Sequence, residues 1–343
     1  MTEHPVRLAV IGAGTIGRRH IEHVLAEDCA ELIAVVDPAP EALAAGMSVA
    51  WYPDFAAMMA HEPPDGVIIA TPNRMHVPLG LEAVQAGLPA LIEKPIADDV
   101  AAAARLVEAA EKAGVELLVG HHRRHNPLVR AAKDAIEAGR LGQLVAAHAA
   151  YWVHKPDEYF TVAWRQEAGA GPVLLNLIHD VDLLRYLCGE VVSVQAMASN
   201  ARRGHPVEDT AVILLRFASG VLGTMTVSDT IVSPWGWDLT AGENPAFPRS
   251  AESCHFIGGT RGSLTIPHLD VWHSKTRPDW LEPVEAERLA VAAADPLALQ
   301  VRNLCDVVRG AAQPVVPGRE GLATLKVIAA IKQAAATGQA VNL

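Results

Sequence analysis

A short apolar run, Val6-Arg-Leu-Ala-Val-Ile11, breaks at Gly12 into Gly-Ala-Gly14-Thr-Ile-Gly17 and continues as Arg-Arg-His20 into a helix-forming stretch. A second apolar run, Glu31-Leu-Ile-Ala-Val-Val36, ends in Asp37, 20 residues beyond Gly17. Strand, glycine turn, helix and strand in that order are the setting in which G-x-G-x-x-G works as a dinucleotide cradle. Gly12 makes the tight turn, Gly14 lets the backbone approach a pyrophosphate, and Gly17 packs the helix on the strand. Thr15 and Ile16 open the helix, whose free N–H groups and positive dipole end face the phosphates. Asp37 stands where a carboxylate receives an adenosine ribose 2′-hydroxyl. Its charge repels a 2′-phosphate and no arginine follows it closely, so NAD is the expected cofactor and NADP the alternative.

The rest of the composition narrows the class. A chain of 343 residues suggests about two domains, with ample length for sizeable cores. A net charge of −11 argues against a nucleic-acid binder, and Arg123-Arg124 is too short a basic cluster to override it. Cys29, Cys188, Cys254 and Cys305 are scattered, without C-x-x-C, and read as small thiols in a reducing compartment. The chain enters a strand almost at once, with no signal-peptide pattern, and no apolar run reaches the ~18–20 residues that span a bilayer. A cytoplasmic protein without membrane partners is expected.

Residues 6–120 alternate strand and helix. Strands are predicted at 6–11, 31–36, 66–70, 90–93 and 115–119, and helices at 40–46, 76–86 and 99–113. Gly87 and Gly114 serve as C-terminal caps, and Asp98 or Asp99 as an N-cap. Uninterrupted apolar runs such as Val67-Ile-Ile-Ala70 suit parallel strands covered on both faces, hence a doubly wound α/β domain over 1–122. The pattern then changes. Helices at 127–138, 172–187, 296–309 and 319–336 accompany strands at 143–152, 190–199, 209–217 and 221–228, the last two joined as a hairpin at Ser219-Gly220. Runs at 254–257, 263–266 and 270–273 extend the same sheet. This makes 123–343 an α+β domain with a large, mostly antiparallel open sheet. Residues 233–250 read as a long Pro/Gly/Trp loop of functional or interfacial kind.

Three further signals carry chemistry. Thr71-Pro72-Asn73-Arg74-Met75-His76 follows a strand, at the end where open α/β sheets bind ligands, and Asn73 offers both donor and acceptor. The bland alternative is a Pro-punctuated turn with an N-capping Thr or Asn. Glu93-Lys94-Pro95 lies at another strand end, where a lysine beside a cofactor can hold a substrate oxygen and relay a proton. Taken alone it equally describes a surface ion pair. Asn176, His179 and Asp182 recur every three residues on an apolar helix and so share a face. His179 has the intrinsic pKa of a general acid–base near neutrality, although a lone histidine on such a face is commonly a hydrogen-bonded core residue. His121, His122 and His125 have no partners at recognisable ligand spacing, and no metal is expected. Tyr151, Trp152, His154 and Tyr159 suit either the walls of a sugar-sized pocket or core packing.

Val10-Ile-Gly-Ala-Gly14, Ala70-Thr-Pro-Asn73 with His76, Glu93-Lys-Pro95 and the helix with His179-Asp-Val-Asp182 together resemble the Gfo/Idh/MocA oxidoreductases, the glucose–fructose oxidoreductase and inositol dehydrogenase-like group. The resemblance covers nearly the whole chain. It implies a Rossmann domain followed by an α+β domain whose open sheet forms the subunit interface of a homodimer or homotetramer. It also implies that Lys94 and His179 flank the nicotinamide and the reacting carbon, with a cis Lys94–Pro95 peptide directing the lysine. Thr71, Pro72, Asn73, His76, Glu93 and Arg165 are then cofactor-side residues. His122, Arg123, Trp152 and Asn176 are substrate-side residues. In one respect the chain departs from the family: many members carry Asp four residues before the catalytic histidine, and here that place is Leu175, with Asn176 one step later. A neutral Asn176 can orient the imidazole or bind a hydroxyl but supplies no charge, which leaves Asp182 as the nearest carboxylate on that face.

The expected function is an NAD(P)-dependent dehydrogenase acting on a secondary alcohol of a sugar, inositol or related cyclic polyol. A dihydrodiol or carboxylated-diol dehydrogenase using Arg123 and Arg124, and a non-catalytic dinucleotide sensor, are the alternatives.

Overall fold

Strand β1 (Val6–Ile11) alternates its side chains between two cores, as its unbroken apolar sequence requires. Ala9 and Ile11 enter one apolar cluster, Leu8 and Val10 the other. The computed structural model describes residues 4–39, 49–167 and 169–343; the helix expected at 40–46 falls outside them.

After β1 come α1 (Thr15–Ala26), β2 (Ala30–Val36), β3 (Ala50–Tyr52), α2 (Phe55–His61), β4 (Gly66–Ile69), α3 (His76–Gln85), β5 (Ala90–Ile92), α4 (Val100–Ala113) and β6 (Leu117–Val119). The strands form one parallel sheet in the order β3-β2-β1-β4-β5-β6. That is the doubly wound Rossmann order, with its switch point between β1 and β4. Asp99 caps α4 through the Ala102 N–H, and Gly114 ends it in the left-handed conformation.

The second sheet begins after α5 (Pro127–Glu137). It is built from β7 (Leu144–Trp152), then, beyond α6 (Ile178–Cys188), β8 (Val191–Ser199), β9 (Thr210–Phe217) and β10 (Leu222–Ser228). After α7 (Trp237–Thr240) it gains β11 (His255–Gly259), β12 (Gly262–Ile266), β13 (Asp270–Ser274) and β14 (Val284–Arg288). Helices α8 (Pro296–Val308) and α9 (Gly318–Thr337) follow, and β15 (Val341–Asn342) adds the last strand. The order is β14-β13-β12-β11-β7-β10-β9-β8-β15, antiparallel throughout except for the β7–β10 pair. The expected β9–β10 hairpin closes at Gly220, whose φ is +88°. One face of this sheet is dry. Ala211, Ile213, Leu215 and Phe217 of β9 pack with residues of α5, α6 and the end of α9. The intervening Val212 and Leu214 are exposed. Among the described residues no helix is long and apolar enough to cross a membrane.

Strands β3, β14 and β15 and helix α2 are not marked by the sequence pattern, and the structure differs from the sequence expectation in three further places. The chain divides into compact units Met1–His125 with Ala294–Leu325, and Asn126–Ala293 with Lys326–Leu343, rather than at a single cut after 122. The reason is the apolar stripe Val301-Leu304-Cys305 of α8, which completes the core formed by Ile21 and Val24 of α1 with Leu8 and Val10. Second, the helix expected at 172–187 starts as a π-helical turn, Val173–Leu177, and becomes α-helical only at Ile178. The wider turn interrupts the every-third-residue register between Asn176 and His179. Third, the loop at 233–250 contains α7, and Trp237 is fully buried.

Trp237 covers the edge of a buried polar group that anchors α6. Its ring meets His255 edge-on at 5.7 Å. His255 Nε2 lies 2.8 Å from Asp180 Oδ1, with both side chains fully buried. Burial disfavours charge on His255, but the neighbouring Cys254 sulfur and the Asp180 carboxylate outweigh it and raise the pKa from 6.5 to about 10. A raised folded-state pKa means that this stabilisation is complete below about pH 6.5 and is lost as pH climbs through about 10. Asp180→Asn is therefore expected to cost about 3–5 kcal/mol in urea unfolding near neutral pH. The gap from the parent protein should narrow as pH rises toward 10; a pH-independent gap would contradict the pairing.

Candidate active site

The first unit supplies a cradle. Gly12 has φ +95°, and a Cβ on it would stand 2.7 Å from the Ala70 carbonyl oxygen. A Cβ on Gly17 would fall 1.9 Å from the Gly12 carbonyl oxygen. Both positions therefore demand glycine on steric grounds, which brings the start of α1 against the ends of β1 and β4. Gly14 is different. It is the N-cap of α1, no side chain caps the helix there, and a Cβ would meet nothing within 4 Å. Beyond β2, Asp37 Oδ2 accepts from the Ala13 N–H at 2.8 Å and Oδ1 from Ala39 N–H at 2.9 Å. The carboxylate is thereby fixed beside the glycine turn, with lone pairs left for a ribose hydroxyl. Thr71 Oγ1, just past β4, is buried with no hydrogen-bond partner among the described residues. An uncapped helix start, open space at Gly14 and a fixed carboxylate fit a dinucleotide.

The same sheet edge carries the Glu93-Lys94-Pro95 segment. Glu93 is buried beyond β5; Oε1 lies 2.8 Å from His20 Nε2 and Oε2 accepts from the Lys94 N–H at 3.1 Å. Burial alone would raise its pKa, yet His20, with Lys94 and His122 adding charge, holds it down at about 2. Glu93 is thus a constant anion that anchors the backbone of Lys94, not half of a surface ion pair. The half-buried Lys94 precedes Pro95 through a cis peptide. His76 is buried, its Nδ1 2.8 Å from the Pro95 carbonyl and its Nε2 2.8 Å from the Thr71 carbonyl. It is a clamp between two segments of the edge rather than a group offered to a ligand. Pro72 and Asn73 are at the start of a short 3-10 turn leading to it. His122 and Arg123 sit in another 3-10 turn after β6, with Arg123 buried, while Arg124 donates to Glu320 Oε2 at 2.8 Å.

In the second unit His179 is buried on α6, next to the Asp180 anchor, and Asp182 is buried on the same helix. Asn176 holds two partners. Its Nδ2 donates to Tyr151 Oη at 3.0 Å, and its Oδ1 accepts from Lys155 Nζ at 2.8 Å. Tyr151 in turn donates to Asp238 at 2.6 Å. Trp152 packs edge-on against Trp235, and Arg165 lies over the Tyr159 ring while donating to the Tyr159 carbonyl. Sequence reasoning missed His20, Lys155 and Asp238. His20 was within reach, being three residues past Gly17 on the face of α1 that must meet the sheet. Lys155 and Asp238 had no such signal, since Lys155 comes from a loop and Asp238 from the single-turn helix α7, whose paths no periodicity encodes.

Gly14 and Gly17 make opposite predictions. Gly17→Ala should lower the melting temperature by several degrees, roughly what a core steric clash costs. Gly14→Ala should melt within ~2 °C of the parent, because its methyl group meets no protein atom, yet weaken NADH binding in fluorescence titration by roughly tenfold or more. Unchanged NADH affinity in Gly14→Ala would rule the cradle out.

Residues 6–121 match the oxidoreductase family NAD-binding Rossmann fold model of the Gfo/Idh/MocA group, and residues 129–265 match the GFO/IDH/MocA C-terminal domain. The chain is 29% identical over 352 residues to 1,5-anhydro-D-fructose reductase of Ensifer adhaerens, covering 98% of each. It is 30% identical over 356 residues to D-apiose dehydrogenase of Paraburkholderia graminis, covering 98% of this chain and 89% of the relative. The WlbA dehydrogenase of Bordetella pertussis, solved with NADH and UDP-GlcNAcA, superimposes with a TM-score of 0.79 at 27% identity over 99% of both chains. With its glycine cradle, its Glu-Lys-Pro strand end and matches over both parts of its length, the chain belongs to the Gfo/Idh/MocA family of NAD-dependent dehydrogenases acting on CH–OH groups.

Proposed function

We propose that this protein oxidises or reduces a secondary alcohol of a sugar, inositol or related cyclic polyol, with NAD as its dinucleotide. The observation that carries the reading is the buried Glu93 carboxylate, which anchors Lys94 at the same sheet edge as the glycine cradle. The bound dinucleotide supplies the hydride acceptor or donor. Lys94 places an ammonium on the substrate oxygen, polarising it and sharing its proton. His179 takes the hydroxyl proton in oxidation and returns it in reduction. Asp37, fixed by Ala13 and Ala39, accepts from the ribose diol and disfavours a 2′-phosphate. Relatives named for 1,5-anhydro-D-fructose and D-apiose support a polyhydroxylated substrate class.

The test is NADH formation across a panel of sugars, inositols and sugar acids. Lys94→Met and His179→Asn should each lower kcat by roughly 10²–10⁴-fold, with NADH affinity little changed. NADP should bind more weakly than NAD. Variants that turn over as the parent does would leave only a dinucleotide-binding role.

The exposed face of the second sheet carries Met197, Val212, Leu214, Leu222, Phe256 and Trp272. An apolar face of this extent, on an antiparallel sheet dry on its other side, supports a subunit interface in a homodimer or homotetramer. Light scattering on Leu214→Glu with Leu222→Glu should show a smaller assembly than the parent; an unchanged mass would place the interface elsewhere.

A further inference from the structure

The π-helical turn Val173–Leu177 carries Asn176 and runs straight into α6, whose second residue is His179. A π turn holds one residue more than an α turn, and successive residues point roughly 100° apart around the axis. Where the extra residue sits therefore decides which way Asn176 and His179 face. Apart from Asn176 the turn is made of Val and Leu, so its start has to be fixed from outside.

The first N–H donors of a helix have no acceptor one turn back and must find one elsewhere. Pro172 has no N–H, and the Leu174 and Leu175 N–H groups both turn to the Gly171 carbonyl, at 3.2 and 3.1 Å. Val173 N–H instead donates to Glu208 Oε1 at 3.2 Å. A carboxylate also suits the positive end of a helix. A Cβ on Gly171 would fall 2.1 Å from that same oxygen and 2.3 Å from the Glu208 carboxyl carbon. The carboxylate thus fills the space that any side chain at 171 would need. Glu208 is in turn placed by its neighbour. Buried Asp209 Oδ2 accepts from the Arg202 and Arg203 N–H groups at 2.9 and 3.0 Å, and Asp209 N–H donates to the Ser199 carbonyl at 2.9 Å. The connection between β8 and β9 is closed by these bonds, with Glu208 at its end.

Resting on the hydride-transfer reading above, we propose that Glu208 is a positioning residue for His179. Its bond to the Val173 N–H fixes the start of the π-helical turn, and so the direction in which Asn176 and His179 leave the helix. Gly171 belongs to the same device, as the residue whose missing side chain makes room for the carboxylate. Near its other end the turn is held through Asn176, by Tyr151 Oη at 3.0 Å and Lys155 Nζ at 2.8 Å. Two fixed points keep the extra residue from sliding along the helix. Without the first of them, His179 is free to rotate away from its working direction. Glu208 acts through the turn and contributes no atom to the reaction.

The test compares the parent with Glu208→Ala, Glu208→Gln, Gly171→Ala and the double variant Glu208→Ala/Gly171→Ala. Each is assayed with NAD on D-glucose, D-apiose, myo-inositol and sodium D-gluconate, with rates taken per NADH-binding site so that misfolded protein does not count. Glu208→Ala should lower kcat by roughly 10²-fold, the loss that a small misplacement brings, with much smaller changes in KM and in NADH affinity. Glu208→Gln keeps an oxygen for the Val173 N–H and should recover most of the rate. Gly171→Ala should fold, because the displaced carboxylate has an adjoining cavity of about 440 Å³, lined by Val173, Val207, Ile331 and Ala335, to move into. It should nevertheless lose a similar factor in kcat. With the carboxylate gone the methyl group has its place, so the double variant should be no slower than Glu208→Ala; independent effects would multiply to about 10⁴-fold. In protein carrying carbon-13-labelled histidine, the His179 resonance, identified by its loss in His179→Asn, should move in Glu208→Ala and Gly171→Ala and return in Glu208→Gln. Parent kcat in Glu208→Ala, a Glu208→Gln as slow as Glu208→Ala, losses that multiply in the double variant, or a His179 resonance that stays in place each overturn the assignment and leave hydride transfer standing. No reduction of NAD by any of the compounds, in protein shown to bind NADH, counts against hydride transfer instead, and the His179 resonance then decides whether Glu208 positions that residue.

Discussion

The close approach of Gly12 and Gly17 is the constraint on which the first unit turns. With a Cβ on Gly17 only 1.9 Å from the Gly12 carbonyl, no side chain of any kind fits. The absence of that atom lets α1 begin against the ends of β1 and β4. Everything that makes the cradle useful follows from this contact: the uncapped helix start, the open space at Gly14 and the Asp37 carboxylate bonded back to Ala13. A helix displaced by one methyl group would lose the alignment of donors that a pyrophosphate requires.

Buried carboxylates do a related task elsewhere. Glu93 is kept ionised by His20 and spends its second oxygen on the Lys94 backbone, so a side chain with four rotatable bonds starts from a fixed point. Asp180 pairs with His255 and pins α6 to β11 beside His179. In both places the residue we propose to meet substrate, Lys94 or His179, is adjacent in sequence to the one that holds the backbone. Neighbouring positions thus divide anchoring from chemistry, and a substitution at the anchor reaches the chemistry through geometry.

Much of this was legible in the chain. Unbroken apolar runs marked the parallel strands, because residues buried on both faces must all be apolar, and the Ser219-Gly220 turn marked the β9–β10 hairpin. The loop after β1 and the Lys94 segment stood out because their chemistry is local. Illegible were the π-helical turn at Val173–Leu177, the return of α8 to the first core, and the meeting of Lys155, Asn176, Tyr151 and Asp238. Each depends on contacts between segments far apart in the chain.

The sequence by itself determined the alternating strands and helices of a doubly wound domain and its glycine loop, since steric demands of glycine and the period of apolar residues act within a few positions. The tertiary structure alone decided that His76 is a clamp, that Glu93 is a buried anchor, and that the Lys155 ammonium is buried against Asn176. Burial and charge balance are properties of everything within a few ångströms. Most of those neighbours are supplied by strands and loops that only folding brings together.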